Sequence, residues 1–445
     1  MLPSMNPVAI LLLIACAFAL LSLPLRWAAL PLLAGACYTT LGQEITLGPF
    51  HFQLLRLLIL VGIIRVILRR EGLARSGNGL DALMLGWGAW ALVSSVFHED
   101  ASATLVNRMG LVFNGGGLYF LFRVFCRSIP DIVVLSRIIA LVLIPLSLEM
   151  LFELKTGRNL FAVFGNVHEF ADVRGGSTRA QGSFAHPILA GSIGAACLPL
   201  MLVLWRGWRL TAISGVAACG LMVYASASSG PILSVAAAIL ALAVWPLRRH
   251  MRLIRWSLVT LYVLLEIAMK APAYFLVARI DMTGNSTSWH RAALIDAAVK
   301  HLSEWWLVGT DFTRHWISYG VGWSSDHIDI TNYYVNMGVY GGLPLMFLFI
   351  ATLAKAFSFV GHETSMQNET GNSGGDKFVL WAVGSALFVH AVSFVSISYF
   401  DQSVVFLYLV LAVTPVSYAD RTEGAPRVDV VTDLRAPLVF RQAPW

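Results

Sequence analysis

The chain has 445 residues, 57% of them hydrophobic and 13% charged, with a formal net charge of +6, and its mean hydropathy is +0.72. Repeated apolar runs of roughly 17–25 residues at so low a charge density argue against a soluble core and for segments whose backbone amides are satisfied internally in lipid. The runs lack strict alternation, which selects helices over a closed barrel, so the expected fold class is all-α: a polytopic integral membrane protein with about 12–13 spans.

The first run, Pro7 to Leu25, has no Lys or Arg before it and is expected to be a retained span rather than a cleaved leader. Further spans are expected from Arg26 to about Gly42, His51–Leu68, Ala82–Phe97, Thr104–Phe122, Ile132–Phe152, His186–Trp205, Leu210–Ala225, Pro231–Leu247 and Trp256–Ala271. Three more follow near Thr331–Phe357, Phe378–Tyr399 and Ser403–Tyr418. If the spans alternate, Arg26, Arg69, Arg70, Arg75, Arg123, Arg127, Arg206, Arg209, Arg248, Arg249, Arg252 and Arg255 share one side. The rule that cytoplasmic loops are basic makes that side the cytoplasm and absorbs the positive charge, so no nucleic-acid partner is expected. The domain expectation is a single helical unit over residues 1–418, with outward loops at 153–185 and 272–330 and a flexible cytoplasmic tail at 419–445. The Gly- and Asn-rich loop Gly361–Asp376 also faces inward on this scheme. The five cysteines, Cys16, Cys37, Cys126, Cys197 and Cys219, show no metal or redox spacing and read as small core residues. His390, inside an apolar run, reads as a packing residue, and Gly115–Gly117 as a place of close helix approach.

Polar chemistry concentrates in the two outward loops, which hold His168, His186, His290, His301, His315 and His327, six of the eleven histidines. In the first loop, Arg179 and Gly182 precede Phe184 and Pro187, and Pro187 suits the first turn of the next helix. An arginine beside a helix N-terminus is a candidate anion site, because free amides and a planar guanidinium both suit phosphate oxygens. In the second loop, a helix is expected from Trp289 to about Trp306 with Ser288 as N-cap. Arg291, Leu294, Ala298, Leu302 and Trp305 fall on one face that could lie on the membrane surface, with Trp305 and Trp306 in the interfacial belt. Then comes Asp326-His327-Ile328-Asp329-Ile330-Thr331-Asn332. A histidine flanked by carboxylates suits a general base near neutral pH; a metal held by Asp326, His327 and Asp329 is a weaker alternative. Arg108, near the outer end of its span, is a candidate cavity-lining cation or a snorkelling one.

Arg179-x-x-Gly182-x-Phe184 with Pro187, Ser228-Ser229-Gly230 at a span boundary, Arg291-x-x-Leu294 with Gly309 downstream, and His327…Asn332…Gly341-Gly342-Leu343 occur in this order between about Thr178 and Phe349. In that order they resemble the O-antigen ligase and O-antigen polymerase superfamily of GT-C-type membrane glycosyltransferases. The resemblance implies a bacterial cytoplasmic-membrane enzyme with its site facing outward. It implies transfer of glycan from an undecaprenyl-diphosphate-linked donor to a glycan or lipid-glycan acceptor in lipopolysaccharide or exopolysaccharide assembly, without cofactor or catalytic metal. Membrane lipids and other polysaccharide-assembly proteins are the remaining implied partners. Carried over by position, Arg179 and Arg291 hold the donor diphosphate and His327 activates the acceptor hydroxyl, with Arg291 also counted as catalytic. Family members often have Ser-Arg-Gly where this chain has Ser228-Ser229-Gly230, so Arg174 or Arg108 is expected to supply the missing cation. The usual His-Asn pair is spread, with His327 five residues before Asn332, and Ile295 stands where Trp is common. His315 and His290 are therefore the fallback bases, and Asp326, Asp329, Asn332 and His186 the expected supporting residues. A non-enzymatic glycolipid transporter or flippase is the alternative, although the polar residues sit in loops rather than at mid-bilayer.

Overall fold

A computed structural model describes residues 5–73, 77–279, 288–317, 325–365 and 374–416. Arg75, the tail beyond 416 and part of the loop at 361–376 lie outside the described residues.

Helices dominate. The first stretch carries α1 (Pro7–Ser22), α2 (Ala29–Tyr38), α3 (Leu54–Leu68), α4 (Gly79–Ser94), α5 (Ala101–Phe125) and α6 (Ile129–Thr156). After a loop come α7 (Pro187–Leu202), α8 (Arg209–Ala225), α9 (Ser229–Ala243) and α10 (Met251–Ala268), and then α11 (Ser288–Lys300) and α12 (Leu302–Trp305). The last three are α13 (Tyr333–Ser365), α14 (Gly374–Ser393) and α15 (Val404–Val413). Their starts follow local chemistry. Asn6 caps α1 with Pro7 in the first turn, Asn78 and Asp81 form a reciprocal capping box on α4, and the His186 side chain accepts from the Ile188 amide ahead of Pro187 on α7.

Among the described residues, four helical stretches are long and apolar enough to cross a membrane: Gly79–Phe97, Ile129–Thr156, Tyr333–Ser365 and Gly375–Ser393. A fifth span results if Ser229–Ala243 and Trp245–Ala268, which meet at a 71° bend, count as one. Among the shorter apolar helices are α1, α7, α8 and α15. Helix α10 buries no residue, and Leu253, Leu258, Leu261, Leu264 and Ile267 are exposed along it. So much apolar surface is unfavourable in water and suits a lipid environment. These helices mark the chain as a membrane protein.

One hydrophobic core draws on α1–α8 and α13–α15, with no residue from α9–α12. All five cysteines are free and buried. His390 is buried, with Nδ1 2.9 Å from the Tyr399 hydroxyl and its ring stacked near Phe394, as a packing role requires. Gly115 and Gly117 admit close neighbours: a Cβ at either would meet Tyr408 or Ile59 within 2.7 Å.

Three local expectations are corrected. Residues 51–53 form a strand instead of the start of a helix, pairing in an antiparallel hairpin of β1 (Glu44–Leu47) with β2 (Phe50–Gln53). The helix expected from Trp289 to Trp306 breaks at His301 into α11 and α12. Its apolar face turns into the protein: Leu294, Ala298 and Trp305 pack with Trp316, Ile328, Val335 and Val339 in a second, smaller core. Trp305 is buried and donates Nε1–H to the Ala298 carbonyl at 2.9 Å, so only Trp306 retains the exposure an interfacial residue needs.

Candidate functional site

The loop after α6 folds back through an antiparallel pair, β3 (Asp172–Arg174) and β4 (Ser177–Arg179). Its exit is held by Glu153, whose carboxylate accepts from the Gln181 and Gly182 amides at 3.0 and 2.8 Å. Asn159 donates to the Gly182 carbonyl at 2.8 Å, and Gly182 takes a φ of +59°, where a side chain is disfavoured. Phe184 is fully buried. The Arg179-x-x-Gly182-x-Phe184 motif is thus a clamped turn that fixes where Arg179 emerges.

Arg179 is 4% exposed. Its Nη1 donates to Asp172 Oδ2 and its Nη2 to Ser228 Oγ, both at 2.8 Å, while Nε is buried without a partner. Ser228 is the N-cap residue of α9 and makes no side-chain cap; its hydroxyl donates instead to the Ser226 carbonyl at 2.7 Å. Arg291, on α11, is 7% exposed and also has an unpartnered Nε. Its Nη2 lies 3.8 Å from where a Cβ on Gly230 would sit. The two loops therefore bring their arginines to the same helix start.

Arg174, Arg179, Arg291 and Ser228–Gly230 line one cavity of about 720 Å³. Among the described residues, three guanidiniums and no carboxylate line it; Asp172, outside the lining, is paired with Arg179. No ion pair to Arg291 occurs among the described residues. Burial lowers the basicity of both Arg179 and Arg291; Asp172 opposes this at Arg179, whereas Arg174 adds to it at both. The positive end of the α9 dipole adds to this field. Ser177 and Thr178 add hydroxyl-bearing side chains beside the arginines, and Leu154, Ile188, Leu198, Val223, Ile232 and Val235 form an apolar wall. The cavity is thus cationic at its head and oily along α7, α8 and α9, which suits an anion attached to a lipid.

Arg108 is elsewhere. Its guanidinium stacks 4.0 Å from the Tyr340 ring and its Nε donates to the Tyr340 carbonyl at 3.2 Å. Tyr340 lines a second cavity, of about 960 Å³, that also contains Arg56, Asn107, Asn114 and Asp401. Of the two arginines expected to replace the absent loop cation, Arg174 is the one beside Ser228–Gly230.

His186 is half-buried at the start of α7, its pKa lowered to about 4 by burial first, then by Arg179 and Arg174. The imidazole is therefore neutral near pH 7 and serves as a helix cap. Asn332 is likewise a cap, its Oδ1 accepting from the Tyr334 and Val335 amides at 3.0 and 3.1 Å. His327 is exposed and is not among the residues lining either cavity. Its segment is anchored by the Asp326 carbonyl, which accepts from the Thr313 and Arg314 amides at 2.9 Å, and by the Ile328 amide donating to Thr313 Oγ1. His290 Nε2 lies 3.4 Å from the Asp329 carbonyl oxygen, placing this segment beside the helix of Arg291. His315 pairs with Glu304 at 2.8 Å.

The two glycine motifs meet. Within α13, Gly341 and Gly342 break the helix, and Gly342 has a φ of +73°. A Cβ there would lie 2.2 Å from the Leu307 carbonyl oxygen, and one on Gly309 would lie 2.2 Å from that of Val339. The Leu343 amide donates to the Trp306 carbonyl at 2.7 Å and the Thr310 amide to that of Val339 at 3.0 Å. Gly309 and Gly341–Gly342 thus dock residues 306–310 against the kink in α13. Spacing did not reveal this pairing, nor the proximity of His301, Glu304 and His315.

No protein-family model and no curated protein sequence matches the chain.

Proposed function

We propose that this protein is a glycosyltransferase of the O-antigen ligase or polymerase type, spanning a bacterial cytoplasmic membrane about 12–13 times with the arginine cavity at its outer face. In this reading it moves glycan from an undecaprenyl-diphosphate-linked donor to a glycan or lipid-glycan acceptor. The observation that carries it is the cavity headed by Arg174, Arg179 and Arg291 at the α9 N-terminus, with Arg179 alone paired to a carboxylate, Asp172, among the described residues, and an apolar wall below. A lipid diphosphate has that charge and that shape of polarity.

The acceptor hydroxyl attacks the anomeric carbon, the bond from that carbon to the diphosphate oxygen breaks, and the diphosphate leaves with the bonding pair. Arg174, Arg179 and Arg291 neutralise the charge that develops on it. The hydroxyl proton passes to a base, for which His327 is the proposed residue, on the segment that His290 ties to the Arg291 helix.

The test is reconstitution in liposomes with a purified polyprenyl-diphosphate oligosaccharide and an acceptor glycan. Glycan transfer with release of the polyprenyl diphosphate, lost in Arg179→Ala and Arg291→Ala, is the expected result. Movement of intact glycolipid across the bilayer without any transfer product would overturn the reading in favour of a transporter.

A further inference from the structure

His301, Glu304 and His315 present one ligand atom each, all within 4.8 Å of one another. His301 Nδ1 is 2.6 Å from Glu304 Oε1, and His315 Nε2 is 2.8 Å from Glu304 Oε2. His301 sits at the N-terminus of α12, Glu304 one turn on, and His315 in the 3-10 turn Arg314–Trp316, so the two imidazoles approach the carboxylate from separate parts of the chain. A tetrahedral zinc ion with bonds of about 2.0–2.1 Å needs ligand atoms about 3.3 Å apart, so the two His–Glu contacts would open slightly and the two imidazole nitrogens, which lie within 4.8 Å of each other, would draw together.

His301 is half-buried and Glu304 and His315 are exposed, and neighbouring aromatic groups hold all three. Trp316 Nε1 donates to Glu304 Oε2 at 3.0 Å and orients the carboxylate from outside the ligand set. The His301 ring stacks on Trp316 with an interplanar angle of 11° and meets the His315 ring edge-on, with centroids 5.0 Å apart, which sets both ring planes. Two imidazoles and a carboxylate favour a borderline transition metal over magnesium or calcium.

We infer that His301, Glu304 and His315 form a zinc-class divalent metal site with its remaining positions taken by water. A bound ion would join α12 to the turn whose Arg314 and Thr313 amides hold the Asp326 carbonyl, immediately before His327. The inference does not depend on the proposed transferase activity.

The experiment uses the full, tag-free chain in detergent, stripped with EDTA, exposed to zinc chloride at micromolar concentration and desalted. The expected result is one molar equivalent of zinc retained by the wild type, with a raised unfolding midpoint. His315→Gln, at an exposed position, should weaken zinc affinity at least tenfold, and the His301→Ala/His315→Ala double variant should retain none. Cobalt in place of zinc should give visible ligand-field bands that vanish in the same variants, a readout that does not require the variants to match the wild type in stability. No zinc retained by the wild type, or equal zinc and cobalt signals in wild type and variants, would overturn the inference.

Discussion

Replacing Arg291 with methionine separates binding from folding. In the wild type the guanidinium is 7% exposed and lies near Arg174, with no carboxylate paired to it among the described residues and its Nε unpartnered there. Burying an unpaired cation beside another costs the empty protein free energy, so an apolar side chain of similar length should leave folding unharmed or improved. The donor loses two charge-assisted hydrogen bonds of about 1.5–3 kcal/mol each, together about 3–6 kcal/mol, which is roughly a 10²–10⁴-fold fall in transfer rate. The assay pairs thermal unfolding in detergent with turnover of a polyprenyl-diphosphate oligosaccharide. A variant that unfolds well below the wild type shows that Arg291 supports structure instead, and one within threefold of wild-type turnover removes it from the diphosphate site.

Arg179→Met should be costlier to fold than Arg291→Met, because it strips the partner from Asp172 and from Ser228 Oγ; matched unfolding midpoints would contradict this. Gly342→Ala should abolish the folded state or its expression, since the new Cβ would meet the Leu307 carbonyl and the φ of +73° disfavours a side chain; wild-type levels of folded protein would refute the docking described here. His186→Asn keeps a capping oxygen and removes a titrating group. The wild-type imidazole has its pKa lowered from 6.5 to about 4 in the folded state, so the unfolded chain binds the extra proton and wild-type stability falls as pH drops from 6.5 towards 4. At about pH 5 the variant should therefore gain up to about 2 kcal/mol relative to the wild type compared with pH 7, an upper figure because the ring is partly exposed; parallel pH profiles would refute the assignment. Arg108→Ala should reduce donor affinity far less than Arg291→Ala, as it lies by Tyr340 and not in the arginine cavity; equal losses in donor binding would place it there.

The helix positions were legible in the amino-acid sequence because an apolar run, an Asn, Ser or Asp cap and a proline in the first turn act within a few residues. Helices α1, α4, α6 and α7 start at Pro7, Gly79, Ile129 and Pro187, close to the apolar runs expected from Pro7, Ala82, Ile132 and His186. The same locality explains the misses. Strand β2 took residues 51–53 because pairing with β1 satisfied their backbone, and His301 interrupted a helix that periodicity alone would have continued into Trp306. The amphipathic face of α11 was visible, but whether it met lipid or protein depended on Trp316, Ile328 and Val339, which are distant in the chain.

What the sequence determined by itself was therefore a helical membrane protein with cationic and imidazole side chains gathered in two loops, since composition and short-range pattern are properties of the chain. Only the tertiary structure decided which of those side chains meet. It placed Arg174 beside Arg179 and Arg291 at the start of α9, sent Arg108 to Tyr340, and turned His186 and Asn332 into helix caps. Convergence of charges from residues more than a hundred positions apart depends on how the intervening helices pack, and no local pattern carries that information.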